Sequence, residues 1–184
     1  MRAVALVACV ALASCGQDQP EARRALEYLN RVRANPASFS AEIGLDLSRV
    51  APRPPLRWDK RLAASARLRA GDLAKRNYFA HVNPEGLGPN HFARQAGYPL
   101  PELWPGGRGN NIEALHGGTD ASGGPEEAIR SLIRDAGVDP PGHRIQLLGM
   151  NDFFAAHRDA GIGLAFEPGS KYQHYMAVHT AQPR

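Results

Sequence analysis

The stretch "AGIGLAFEPGSKYQHYMAVHTA", Ala160 to Ala181, decides the fold. Ile162, Leu164 and Phe166 alternate with smaller residues, "EPGSK" interrupts them with a turn composition, and Tyr172, His174, Met176 and Val178 then alternate again. A period of two belongs to strands, so this segment predicts an antiparallel hairpin at the C-terminal end. The patterned segments before it have the period of helices. Pro20 opens a run in which Ala22, Leu26, Leu29 and Val32 share a face, ended by Asn35-Pro36. A second helix is predicted from Asp59 to about Asn77, with Leu62, Ala66, Ala70 and Leu73 inward and Asp59 as its N-cap. The segment "PNHFARQAGYP" reads as a short helix capped by Asn90 and stopped at Gly97. A fourth runs from Glu126 to Ala136, with Ile129, Leu132, Ile133 and Ala136 inward and two acids at its positive dipole end. Residues 99 to 124 are rich in Gly and Pro and read as one long irregular segment, the kind that tends to be functional or mobile. Helices first and strands last argue an α+β fold rather than a parallel, doubly wound sheet.

The chain has 184 residues, 43% of them hydrophobic and 22% charged, which suits one globular domain with its own core. Its two cysteines, Cys9 and Cys15, both precede that domain, so a metal site in it must draw on His, Asp or Glu. The N-terminus "MRAVALVACVALASC" has a basic Arg2, an apolar run too short to span a bilayer, and small residues before Cys15, the architecture of a secretory signal. Leu12, Ala13, Ser14 and Cys15 look like a bacterial lipobox, cut before the cysteine that carries the lipid. The expected organisation is a signal peptide at 1–14, a lipidated tether at 15–20 and a single domain at 21–184. Gly16, rather than Asp, after Cys15 points to the outer membrane if the source is Gram-negative. Loss of Arg2 with the signal leaves 21 basic against 18 acidic residues, a net charge of +3. The arginines are scattered, so no nucleic-acid partner is expected. A monomer is.

Six segments in order, "LNRVRANP", "PPLRWDKRLAASARLRAGDLA", "YFAHVNPEG", "GNNIEA", "GHRIQLL" and the closing hairpin, together resemble the CAP superfamily of cysteine-rich secretory, antigen 5 and pathogenesis-related group one proteins. The resemblance covers nearly all of residues 21 to 184. It implies an α-β-α sandwich, with a small antiparallel sheet between helical layers. It also implies a shallow cleft in which two histidines and two acids bind a divalent metal, Zn²⁺ or another. Carried over, the histidines are His81 and His143. Where the family reads Gly-Glu-Asn-Ile this chain has Gly109-Asn110-Asn111-Ile112, so Asn110 stands at the first acidic position, and Glu113 would supply that carboxylate if the segment were helical. The second acid falls on Asp135, three residues after Leu132 at the family's Trp position, and the linker "AGVDPPG" to His143 is longer than the common bacterial form.

Neutral imidazoles and carboxylates on separate segments suit such a metal, with an open position for water or a ligand. The expected role is a binding one at the cell envelope, with an undefined small ligand or envelope component as partner. The alternatives are a metal-dependent peptide or ester hydrolase and a protein–protein interaction domain. Against hydrolysis, the chain has no His-Glu-x-x-His helix and no Gly-x-Ser-x-Gly elbow, and Ser65 and Ser131 lie inside helical patterns. His91, His116 and His157 are expected in exposed polar segments without a special role. His174 and His179 should point to opposite faces of the last strand. Asn30, Trp58 and Asn111 are expected to hold loops and packing, and Trp104 to sit on the rim.

Overall fold

The computed structural model describes residues 19–120 and 122–183; the expected signal peptide and Cys15 lie outside the described residues. The first helix, α1, spans Pro20–Ala34 and buries Ala22, Leu26, Leu29 and Val32, as its spacing predicts. It ends at Asn35 because a residue before proline is driven out of the helical region. A 3₁₀ turn, Pro36–Phe39, and a short helix α2, Ser40–Ile43, follow. Strand β1, Arg57–Trp58, leads into helix α3, Lys60–Arg76. Asp59 caps α3, its carboxylate accepting from the backbone N–H groups of Arg61 and Leu62, and Asn77 closes it in the left-handed region at φ 52°. Then come α4 (Pro89–Gln95), β2 (Glu113–Gly118), α5 (Gly124–Arg134), α6 (Gly142–Leu148), α7 (Asp152–Ala155), β3 (Asp159–Phe166) and β4 (His174–Ala181).

The four strands form one sheet in the order β1-β3-β4-β2. Its body is antiparallel: Ile162 pairs with Val178 on β4, and Val178 with Ala114 on β2. The two residues of β1 add a short parallel pair to β3. On one face, Ala114, Ile162, Met176 and Val178 pack with Leu29 and Val32 of α1 and Ile129, Leu132 and Ile133 of α5. On the other, Leu115, Tyr175 and Ala177 meet Ala66, Ala70 and Leu73 of α3, and Leu62 extends that layer to Ala93 of α4. This is the α-β-α sandwich expected from the sequence.

Several local expectations need correction. The irregular stretch 99–124 contains β2, an element whose brief pattern is hidden between Gly-rich flanks. Asn90 lies inside α4, which starts at Pro89 after Gly88; proline suits a first helical turn, where its missing N–H is no loss. The Asn90 amide instead donates to the Pro105 carbonyl and to Asn111 Oδ1, pinning the loop before β2. Helix α5 ends at Arg134, so Asp135 is not a helical residue but its left-handed cap at φ 46°. Asn30 does hold a loop, exchanging two hydrogen bonds with the backbone of Leu56.

His157 is not exposed. It is 1% accessible, enclosed by Trp104, Phe153 and Phe154, with Nδ1 against Thr180 Oγ1 and Nε2 unpartnered. Burial, followed by the charges of Arg33 and Arg158, pushes its pKa down to about 4. The unfolded chain therefore binds the extra proton below the ordinary histidine value. The contribution of this group is intact above about pH 6.5 and lost as pH falls toward 4, a change of about 3 kcal/mol. Denaturant unfolding at a series of pH values should show this slope in the parent and a flatter profile in His157→Gln.

Candidate functional site

Helix α3 brings an arginine to the inner surface of the sandwich. Arg69 lies seven residues after Leu62 and so shares its inward face. Its side chain is 0% exposed, as is that of Glu113, which projects from β2 toward the same layer. Arg69 Nε donates to Glu113 Oε2 at 3.0 Å and Nη2 to Oε1 at 3.3 Å. The remaining guanidinium hydrogens gather the segment after α3: Nη1 donates to the Tyr78 hydroxyl at 2.7 Å, and Nη2 to the carbonyls of Ala80 and His81 at 2.8 and 3.1 Å. The arginine thus neutralises the buried carboxylate and folds the loop that carries His81.

Glu113 accepts two further partners. His81 Nδ1 lies 3.1 Å from Oε1, and His179 Nε2, from the paired position on β4, lies 3.0 Å from Oε2. Burial alone would raise the carboxyl pKa. The hydrogen bonds from His179 and His81, with the charge of Arg69, outweigh burial and hold it down at about 2. The carboxylate at Glu85, close to His81 in sequence, takes no part; it pairs with Arg76 at 2.6 Å.

The opposite wall comes from α5 and α6. Because Asp135 turns out of the helix, its carboxylate faces the returning chain, where Oδ2 accepts from the backbone N–H of His143 at 2.9 Å and Oδ1 meets His143 Nδ1 at 2.8 Å. One carboxylate therefore fixes both the start of α6 and the ring plane of its histidine. The centroids of the His81 and His143 rings are 6.5 Å apart, and both side chains are part-exposed, at 40% and 28%. All four residues named from the sequence thus come together, in two histidine–carboxylate pairs whose rings lie 6.5 Å apart. Among the described residues, no group of three or more His, Cys, Asp or Glu side chains is arranged to hold a metal ion.

Glu113 arrives by a route other than a shared helix face with Asn110. The segment is a strand, and Asn110 precedes it, folded back along its edge. Asn110 Oδ1 accepts from the N–H of Glu113 at 2.9 Å and Nδ2 donates to the Glu113 carbonyl at 3.3 Å. An amide at this position is therefore an edge cap. Arg69 is a site residue for which the sequence raised no expectation, and His179, expected as a structural strand residue, joins it at Glu113. Arg69 carried a signal, a charged residue on an otherwise Ala-rich inward face; His179 carried only its strand parity. His116, expected to be exposed, is half-buried on the opposite face of β2, with burial lowering its pKa.

The model of the cysteine-rich secretory protein family, CAP, matches residues 26–154. Among solved structures, the fold is similar to that of an extracellular protein containing an SCP domain from Bacillus anthracis str. Ames, with a TM-score of 0.53 and 15% identity over 91% of this chain. The alignment spans 45% of that protein's length. BmVAL-1 is matched with a TM-score of 0.49 and 14% identity, over 90% of this chain and 79% of that one. No curated protein sequence shows a significant match.

Proposed function

This chain belongs to the cysteine-rich secretory protein family, CAP, and on that premise we propose that it is a secreted, lipid-anchored protein of the cell envelope whose cleft holds a divalent metal between His81 and His143. The observation that carries this reading is the pair of histidine–carboxylate bonds facing each other with ring centroids 6.5 Å apart. Each imidazole uses Nδ1 to bond its carboxylate, which leaves Nε2 in the unprotonated form that ligates metals. Glu113 and Asp135 then orient the ligands instead of joining them. Glu113 is committed in any case, because both of its oxygens are occupied by Arg69, His81 and His179. Two imidazoles would supply two of the four positions that Zn²⁺ prefers, once the rings draw closer than their 6.5 Å centroid separation, with the remaining positions left to water or a ligand. When bound there, the metal would polarise a carbonyl or acidify a water.

A binding role is favoured over hydrolysis of a peptide or ester. Ser65 is fully buried within α3 with its hydroxyl unpartnered, so it is not presented to the cleft. Calorimetric titration of the mature chain with Zn²⁺ is expected to give saturable one-to-one binding that is lost in His81→Ala and in His143→Ala. Asp135→Asn should weaken it about 10- to 100-fold, the usual effect of removing an orienting carboxylate. No uptake by the parent would discard the metal.

The lipid anchor rests on the residue order Leu12 to Cys15 and on Gly16 after it. Growth with a labelled fatty acid should label the parent and leave Cys15→Ser unlabelled. An unlabelled parent would remove the anchor without touching the cleft.

A further inference from the structure

Among the described residues strand β2 ends the sheet, and the ladder defines which of its backbone groups face outward. Thr180 N–H donates to the carbonyl of Ile112 at 2.8 Å, so 112 and 180 form a hydrogen-bonded pair. Antiparallel pairs alternate. Ala114, His116 and Gly118 therefore direct their N–H and C=O groups inward to β4, while Glu113, Leu115 and Gly117 direct theirs to the free edge. At Glu113 the Asn110 side-chain amide fills both outward groups, one donor and one acceptor, as a residue of a neighbouring strand would. At Leu115 and Gly117, no partner for these groups is found among the described residues.

The geometry points to a site at which an extended peptide adds to β2 as a further antiparallel strand, pairing with the outward backbone of Leu115 and Gly117 beside the His81–His143 cleft, in the pattern by which Asn110 gives one donor and one acceptor to Glu113 alone. The Asn110 amide shows that this edge accepts a peptide-like group in ladder geometry, and it stops the added strand at Glu113. Two donors and two acceptors remain, with the two-residue spacing of a strand, and they match the backbone of any extended segment. Proteins usually blunt such an edge with charge, proline or a covering loop. Here Leu115, His116, Gly117 and Gly118 carry none of the first two.

The register also sets the side-chain preference. Cross-strand residues share a face, so the peptide residue opposite His116 lies on the α5 side. There His116, Gly118, Ala128, Leu164 and Met176 line a cavity of about 590 Å³. A peptide residue beside that cavity is favoured when large and apolar. On the other face, Tyr172 and Phe79 already close over Gly117, where a Cβ would meet Tyr172 at 2.8 Å. A small residue is favoured opposite Gly117. This inference names the ligand class of the cleft and rests on that reading only for the role of the adjacent histidines.

The test uses the mature chain and a capped peptide alternating threonine and phenylalanine, with and without Zn²⁺. Amide hydrogen exchange of Leu115 and Gly117 is expected to be fast in the free protein and slowed about tenfold or more at saturating peptide. With phenylalanine beside the cavity, the threonine amides face β2. N-methylating the threonines should therefore weaken binding about tenfold or more, while N-methylating the phenylalanines leaves it within about twofold, since backbone pairing carries the affinity. Equal effects of the two methylations, the reverse order, or unchanged exchange at Leu115 and Gly117 would each overturn the inference. Protection without Zn²⁺ uptake would retain the peptide site and discard the metal; uptake without protection would do the opposite.

Discussion

Replacing Glu113 by Ala is expected to lower stability by about 3–5 kcal/mol, the scale on which a buried charge left without its partner destabilises a fold. Arg69 is 0% exposed and its nearest other acid is Asp72 at 3.8 Å, too far to replace two direct hydrogen bonds. The loss should spread to the cleft. His81 and His179 lose the acceptor that sets their rings, so Zn²⁺ uptake should fall together with stability. Denaturant unfolding of Glu113→Ala beside Glu113→Gln separates charge from shape, because Gln retains hydrogen-bonding capacity while leaving Arg69 unneutralised. A loss below about 1 kcal/mol in Glu113→Ala would mean that Arg69 re-pairs with Asp72 and that the buried network is not what holds the loop. The pH dependence has a definite sign. With the folded carboxyl held at about 2, the contribution of Glu113 is complete above the ordinary value of 4.5 and is lost as pH falls toward 2.

Gly163→Ala should destabilise by about 3 kcal/mol or more, through steric overlap that cannot be relieved cheaply. A Cβ at Gly163 would lie 2.1 Å from the backbone nitrogen of Arg67, and one at Gly161 would lie 2.0 Å from that of Ala63. Both obstacles are the main chain of α3, so the helix must move as a body. Such a shift displaces Arg69 and loosens the site at a distance from the substitution. Gly71 provides the contrast. It sits within the same helix with nothing within 4 Å of its Cβ direction, and Gly71→Ala should stabilise by up to about 1 kcal/mol through helix propensity alone. Thermal unfolding of the two variants therefore gives opposite signs. A neutral Gly163→Ala would show that α3 does not rest on β3 through these glycines.

The legible parts of this molecule are those whose information is local. Helices α1 and α3 follow from apolar spacing, Asp59 from capping chemistry, and the β3–β4 hairpin from alternation across "EPGSK". Strand β2 was not legible, because six residues ending in Gly117-Gly118 show too little alternation, and its partner β4 is remote in sequence. His81, His143 and Asp135 could be named from motif order. Their pairing could not be, since it depends on Asp135 leaving α5 in a left-handed conformation that turns its carboxylate toward His143.

Glu113 makes the division most clearly. The sequence alone determined that a carboxylate stands three residues past Asn110, that the chain forms helices followed by a hairpin, and that its domain has no cysteine for a metal or a disulfide. Only the tertiary structure decided that this carboxylate is a strand residue, buried against Arg69 and His179, with Asn110 folded over its backbone. The physical reason is range. Periodicity and capping act over one or two turns of chain, whereas a buried charge is tolerable only where partners far apart in sequence arrive together, and that is a property of the packed fold.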